Sequence, residues 1–369
     1  MSIPDVLIVG AGIIGASCAR ALAQRGVSVH VVDAGDHDGI ATTAAAGMLA
    51  PMAESQPEDP LLAFSIRARD YYSELVPELE AETGIDIGLW REGVYQAAFT
   101  DEDVERAKQQ VAWQRQSGFS AEWLSATELR EHVPGIGPDA LGATLAPEDG
   151  ALEPMALLTA LKQSATAHGA TITLNTRVDG IRIDEERAVS VTVGEESFDA
   201  GAVLIAAGCW SGRLKGLPRP LSVEPLRGQM VALEWPRDEP RAVVYGSGGY
   251  VLKRGDEAIA GSTVEHAGYD ASVTKEGINQ IIRAATQIYP ALTRSNQRRS
   301  WAGLRPGTPD GRPLLGKDPD VANLWYATGH GRNGILLAGL SADVLCRLYT
   351  GEEIEYDPSP VDPARFWTN

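Results

Sequence analysis

The sequence predicts an α/β fold in which a Rossmann-like nucleotide-binding domain is interleaved with an α+β domain built on a mainly antiparallel β-sheet. Three observations predict it. A glycine-rich βαβ unit opens the chain. Short apolar strands and helices of the same kind recur in the middle and near the end. Between them, Leu221 to Thr263 changes to β-type runs separated by Gly and Pro turns. A chain of 369 residues is too long for one compact core. The interleaving makes both expected domains discontinuous: 1–80, 150–217 and 300–369 for the first, 81–149 and 218–299 for the second.

Asp5 to Val9 reads as a buried strand, a short apolar run without alternation. Ala16 to Arg25 reads as a helix that ends at Gly26, and Val27 to Val32 as a second strand. Helical patterning runs from Asp59 to Thr83, is expected to break at Pro77, and stops at Gly84. Asp101 to Ser117, Pro154 to His168, Lys275 to Tyr289 and Gly334 to Tyr349 are further helices. Ala170 to Leu174, Ala188 to Val193, Ala202 to Ala207 and Asn323 to Ala327 read as strands. Within the antiparallel stretch, strands are expected at Gln229 to Leu233, Tyr250 to Leu252 and Glu257 to Ala260.

The turn after the first strand carries Gly10, Gly12 and Gly15. Gly10 permits the tight turn, Gly12 lets backbone N–H groups approach a pyrophosphate, and Gly15 lets the helix pack on the strand. The phosphate then sits at a helix N-terminus, where unpaired N–H groups and the dipole favour negative charge. Asp33 ends the second strand, 18 residues after Gly15, where its carboxylate can accept from a ribose diol. Strand, helix and acid together point to a dinucleotide but do not separate FAD from NAD.

Composition excludes several classes. With 32 Lys and Arg against 50 Asp and Glu, the net charge is −18, which repels nucleic acid and anionic membrane. Cys18, Cys209 and Cys346 are widely spaced, so neither a metal site nor a redox dithiol is expected, and a reducing cytoplasmic setting fits. Asp5 stands where a signal peptide would be basic, and no run of 18 apolar residues occurs.

Three further blocks are distinctive: ATTAAAGMLAP from Ala41 to Pro51, WAGLRPGTPDGRPLLG from Trp301 to Gly316, and ATGHGRNGILLAG from Ala327 to Gly339. With GAGIIG, they resemble the D-amino-acid oxidase superfamily and, within it, the glycine oxidases of thiamine biosynthesis. The resemblance implies an FAD-binding domain and a substrate-binding domain. It implies that Gly10, Gly12, Ile13, Ile14, Gly15, Asp33 and Ala34 hold the adenosine and pyrophosphate end of FAD. Ala41, Thr42, Thr43, Ala46, Gly47 and Met48 would line the path to the isoalloxazine, with Val178 against adenine and Gly208 nearby. His330, Gly331, Arg332, Asn333, Gly334, Ile335 and Leu336 would wrap the flavin ring. A helix N-terminus there would stabilise the negative charge of reduced flavin.

An α-amino acid presents a carboxylate, which a guanidinium binds bidentately. Arg305 resembles the family's carboxylate-binding arginine, Tyr250 the tyrosine that adds a hydroxyl, and Arg332 a second arginine near amine and flavin. Tyr245 and Met48 would line the pocket. The implied reaction is hydride transfer from substrate Cα to flavin N5 without a general base, so His330 is expected as a hydrogen-bond partner only. Glycine would yield an imine, then glyoxylate and ammonia, with dioxygen re-oxidising the flavin to hydrogen peroxide. Leu304 to Thr308 contains no cysteine, so FAD is expected to be non-covalent. Gly331, Lys253 and the glycine-rich Tyr245 to Gly249 depart from the family pattern and would open the pocket to larger amines. The alternative is an FAD oxidase or dehydrogenase of sarcosine, another N-methyl amino acid or a D-amino acid. A flavin-binding protein without amine chemistry is the alternative from another class. By analogy with the family, a homo-oligomer is also expected.

Overall fold

The computed structural model describes residues 3–236, 241–355 and 357–367; residues 1, 2, 237–240, 356, 368 and 369 of the expected domain ranges lie outside these. Two large sheets organise the described residues. In the first, the strand order is Leu314–Lys317, Leu324–Thr328, Ala202–Ile205, Val6–Val9, Val29–Val32 and Thr171–Thr173. The last five run parallel, and Leu314–Lys317 is antiparallel to its neighbour. The central Val6–Val9 and Ala202–Ile205 are buried along their whole lengths, as expected of strands covered on both faces. Helices Ile13–Gln24, Leu62–Thr83, Pro154–Ala167 and Gly334–Thr350 share one apolar core on one side.

The opening turn is tight for the reasons its glycines suggest. Gly10 has φ +108°, and a Cβ there would lie 2.5 Å from the Ala206 carbonyl oxygen. A Cβ on Gly15 would lie 1.9 Å from the Gly10 carbonyl oxygen, so only glycine lets the helix sit this close to the strand.

The second sheet has the order Gln297–Gly307, Glu224–Glu234, Glu257–Gly261, Gly249–Arg254, Val243–Gly246, Val94–Ala98, Gly142–Ala146 and Glu122–Ser125. Its neighbours are antiparallel except Val243–Gly246 with Val94–Ala98. Helix Lys275–Ile288 packs on it through Ile278, Ile281, Ala285 and Ile288. The domain boundary expected at residue 300 falls inside strand Gln297–Gly307, whose ladder with Glu224–Glu234 keeps the whole strand in the second sheet. Pro77 does not break its helix either. Leu62–Thr83 runs through it to the left-handed Gly84, and buried Leu75, Val76 and Leu79 hold both sides of the proline against the core.

A buried ion pair joins the first helix layer to the turn that precedes it. Arg69 Nη1 lies 3.0 Å from Asp149 Oδ1, with side chains 2% and 0% exposed. The other Asp149 oxygen accepts the backbone N–H groups of Met52 and Ala53, each at 2.9 Å, and so fixes the short helix Pro51–Glu54. Removing Asp149 leaves the buried N–H groups of Met52 and Ala53 unpaired and takes one of three carboxylates from Arg69, which also meets Asp70 and Glu148. We expect Asp149→Ala to lower the unfolding free energy by about 3 kcal/mol. Denaturant unfolding measures this, and an unchanged midpoint would show that the pair does not hold the turn.

Candidate active site

A cavity of about 1830 Å³ runs from the glycine turn, past the C-terminal ends of the parallel strands, to the face of the second sheet. Ordinary ligand pockets measure roughly 300–1,000 Å³, so this one has room for an extended dinucleotide and a small molecule together. Every expected cofactor and substrate residue lies on its wall except Gly15, whereas Ser247, Gly248 and Lys253 do not. Gly15 is buried behind the turn against Gly10, so it shapes the phosphate site without touching the cavity.

At one end, helix Ile13–Gln24 begins at Gly12, which has no side chain to cap its N–H groups. A Cβ on Gly12 would have only the Thr42 hydroxyl, at 3.4 Å, for a neighbour. That hydroxyl accepts the Ile13 N–H at 3.2 Å. Asp33 is fixed by the N–H groups of Ala11 and Gly35, at 2.7 and 2.8 Å, and each carboxylate oxygen keeps a further lone pair. Gly47 has φ +86°, and a Cβ there would lie 2.1 Å from the Leu152 carbonyl oxygen, so the wall at Met48 needs glycine beside it.

In the middle, the turn Gly331–Asn333 leads into helix Gly334–Thr350, whose N-terminus also lacks a side-chain cap. His330 is 2% exposed, and its Nε2 meets the Ser341 hydroxyl at 3.1 Å. Its Nδ1 is buried without a partner among the described residues. Burial pushes the imidazole pKa down to about 3, so it is neutral and a weak proton acceptor at neutral pH.

At the far end, Arg305 stands on strand Gln297–Gly307 and faces the cavity. Its Nη1 donates to the Thr263 carbonyl at 3.1 Å and its Nη2 to the Ser262 hydroxyl at 2.7 Å; both partners are neutral. Burial pulls its pKa down, against the influence of Tyr250 and Glu54. Tyr250 is buried, and burial pushes its phenol up to about 12 despite the neighbouring Arg305, so it keeps its proton. The Tyr245 ring lies 5.5 Å from that of Tyr250, and its hydroxyl is 3.0 Å from Met48 Sδ. The same hydroxyl donates to Glu54 at 2.6 Å. Arg332 is exposed, and its Nε pairs with Glu54 at 2.9 Å.

Three residues here escape sequence reasoning. Ser262 and Glu54 have no motif around them that marks a site. Gly228 matters only through strand register: Leu226 pairs with Arg305 and Gly228 with Gly303, so the guanidinium folds back over Gly228. A Cβ there would lie 2.2 Å from Arg305 Nη2.

A profile of the DAO family, described as FAD dependent oxidoreductase, matches residues 5–348. The chain belongs to this FAD-dependent oxidoreductase family. A glycine oxidase of Geobacillus kaustophilus is 34% identical over 365 residues, 98% of this chain and 97% of that protein. The bifunctional protein ThiO/ThiG of Synechocystis sp. is 34% identical over 372 residues; they cover 99% of this chain but 54% of that protein, so the chain spans about half its length. The crystal structure of glycine oxidase from Geobacillus kaustophilus superposes with a TM-score of 0.93 at 33% identity, covering 98% of both chains.

The cavity wall fits FAD. The helix N-terminus at Gly12 suits the pyrophosphate, Asp33 a ribose, and the unpartnered Nδ1 of His330 with the uncapped helix at Gly334 suits a polar ring edge. Among the described residues, no group of three His, Cys, Asp or Glu side chains could hold a metal ion.

Two outcomes follow from this geometry. Gly228→Ala should displace the guanidinium and weaken acetate binding about 100-fold while FAD stays bound, as read by flavin absorbance. Unchanged acetate affinity would mean that Arg305 does not need that space. The second concerns His330, whose pKa is about 3 in the fold against an ordinary 6.5. The unfolded chain therefore takes up a proton that the folded one refuses, and stability is lost as pH falls from 6.5 toward 3. The loss should reach about 2 kcal/mol at pH 5, and His330→Asn should remove it. Unfolding free energies of both proteins at pH 7 and pH 5 check this, and equal pH dependence would contradict it.

Proposed function

We propose that this protein is a cytoplasmic glycine oxidase that holds FAD non-covalently and produces glyoxylate, ammonia and hydrogen peroxide, feeding thiazole synthesis for thiamine. The observation that carries the reading is Arg305 beside Tyr250, a guanidinium and a protonated phenol on one wall of the FAD cavity. Bound FAD supplies a two-electron acceptor for the hydride leaving the substrate's Cα, and dioxygen takes the electrons onward.

The chain's own residues bind and orient. Arg305 takes the substrate carboxylate in its planar fork, held from behind by Ser262 and Thr263. Tyr250 donates its hydroxyl to the same carboxylate and stays a donor well above neutral pH, because its pKa is about 12. Tyr245 and Met48 close the side of the chamber. With His330 neutral and buried, orientation rather than proton abstraction by imidazole carries catalysis. Gly331 to Leu336 and the segment Ala41 to Met48 would hold the isoalloxazine, and Ile13, Ile14, Ala34 and Val178 the adenosine end.

The glycine-rich stretch beside Tyr245 is closely packed. A Cβ on Gly246 would lie 2.9 Å from Ile288, and one on Gly249 2.7 Å from the Gly261 carbonyl oxygen. These contacts tie both glycines to the packing of helix and sheet, and both also line the chamber. The alternatives are sarcosine, another N-methyl amino acid or a D-amino acid; a flavoprotein without amine chemistry would have no use for Arg305 and Tyr250 together. No helix among the described residues is long and apolar enough to cross a membrane, and the three cysteines are buried free thiols.

Anaerobic titration of the flavoprotein with glycine, sarcosine and D-alanine, followed by air, tests the reading. Glycine should bleach the flavin and air should restore it with release of peroxide. Bleaching only by sarcosine or D-alanine would move the substrate, and a flavin that none of them reduces would overturn amine oxidation. Arg305→Ala should lower kcat/KM for glycine about 100-fold, the loss of one charge-assisted bidentate contact, without loss of FAD.

A further inference from the structure

We propose that Glu54 reads the substrate's amine and makes the site reject a second anionic group. The inference rests on the amino-acid reading above. Glu54 ends the short helix Pro51–Glu54 and lines the cavity. Its carboxylate accepts the Tyr245 hydroxyl at 2.6 Å and pairs with Arg332 at 2.9 Å. Tyr245 packs on Tyr250, and Tyr250 shares Ser262 with Arg305. Glu54 and Arg305 therefore belong to one chamber, with two tyrosines between them. The charge on Glu54 also acts on both Tyr250 and Arg305.

The backbone beside Glu54 is fixed from several elements. Asp149 takes the N–H groups of Met52 and Ala53. Gln110 and Gln114, from helix Asp101–Gln116, donate to the Met52 carbonyl at 3.2 and 2.7 Å. Gln96 donates to the Ala53 carbonyl. A polar side chain on so constrained a turn is preorganised, as a recognition group requires.

Charge and hydrogen-bond capacity then define what the chamber takes. Arg305 and Arg332 bring two positive charges and Glu54 one negative, so the three sum to one positive charge, which suits a substrate with one carboxylate. Each oxygen of Glu54 keeps acceptor capacity beyond its bonds to Tyr245 and Arg332, and an amine held by its carboxylate on Arg305 supplies N–H donors. A second carboxylate would instead meet Glu54 and be repelled. Without Glu54 the chamber carries two positive charges and suits a dianion.

The test uses the full-length FAD-loaded protein and Glu54→Gln, which keeps shape and loses charge. Flavin absorbance reports the binding of acetate, with one carboxylate, and of malonate, with two. Wild type should bind acetate at least about tenfold tighter than malonate. Glu54→Gln should bind malonate about tenfold tighter than wild type does, with little change for acetate, while Glu54→Asp keeps the rejection. The KM for glycine should rise about tenfold in Glu54→Gln with kcat nearly unchanged. Equal binding of acetate and malonate by wild type overturns the inference whatever the variants do. So does a Glu54→Gln protein with full FAD content and unchanged malonate affinity and glycine KM. These ligands are not oxidised, so that failure is distinct from failure of glycine to reduce the flavin, which would remove the functional reading and this inference with it.

Discussion

The structure depends on a single guanidinium held in the wall of a cavity by neutral partners. Arg305 is oriented by the Thr263 carbonyl and the Ser262 hydroxyl, neither of which cancels its charge. A cation so placed is costly unless an anion completes it. Much of the second sheet serves that placement. The ladder of Gln297–Gly307 with Glu224–Glu234 sets the register, Gly228 leaves room for the fork, and Tyr250 lies on the strand beyond Glu257–Gly261. The first sheet supplies the complementary half, a glycine turn and a helix N-terminus suited to a dinucleotide.

The two halves meet at short segments more than at large elements. The stretch Ala41 to Glu54 packs its first turn, Ala41–Ala44, against strand Gln297–Gly307 and ends in the turn that carries Glu54. It is fixed at both ends. Trp301 Nε1 donates to the Ala44 carbonyl at 3.2 Å, the Leu304 N–H to the Gly39 carbonyl at 2.8 Å, and Asp149 holds the far turn. This suits the proposed reaction, in which a flavin ring and a small molecule are held face to face with little freedom.

The first domain was largely legible in the sequence, because its signals are local. Gly10 and Gly15 each have a steric reason in the fold, while Gly12 leaves open space toward the cavity, and helices end where Gly84 and Gly351 take left-handed backbone. The second sheet was only partly legible. Val94–Ala98 and Gly142–Ala146 are short, rich in small residues and without alternation, and their pairing joins distant parts of the chain. Pro77 misleads for a related reason: packing on the core outweighs its local cost. Arg305 and Tyr250 were visible through their motifs. Gly228, Ser262 and Glu54 were not, since each gains its role from register or from a neighbour far away in sequence.

The central claim, that the chamber is built around a carboxylate on Arg305, is tested most directly by comparing acetate with acetamide. The two have nearly the same shape and differ in charge. Titrated into the flavoprotein and followed by flavin absorbance, acetate should bind about 100-fold more tightly, as expected when a bidentate ionic contact is replaced by a neutral one. Equal affinities would contradict the account and leave Arg305 as a structural residue of the second sheet.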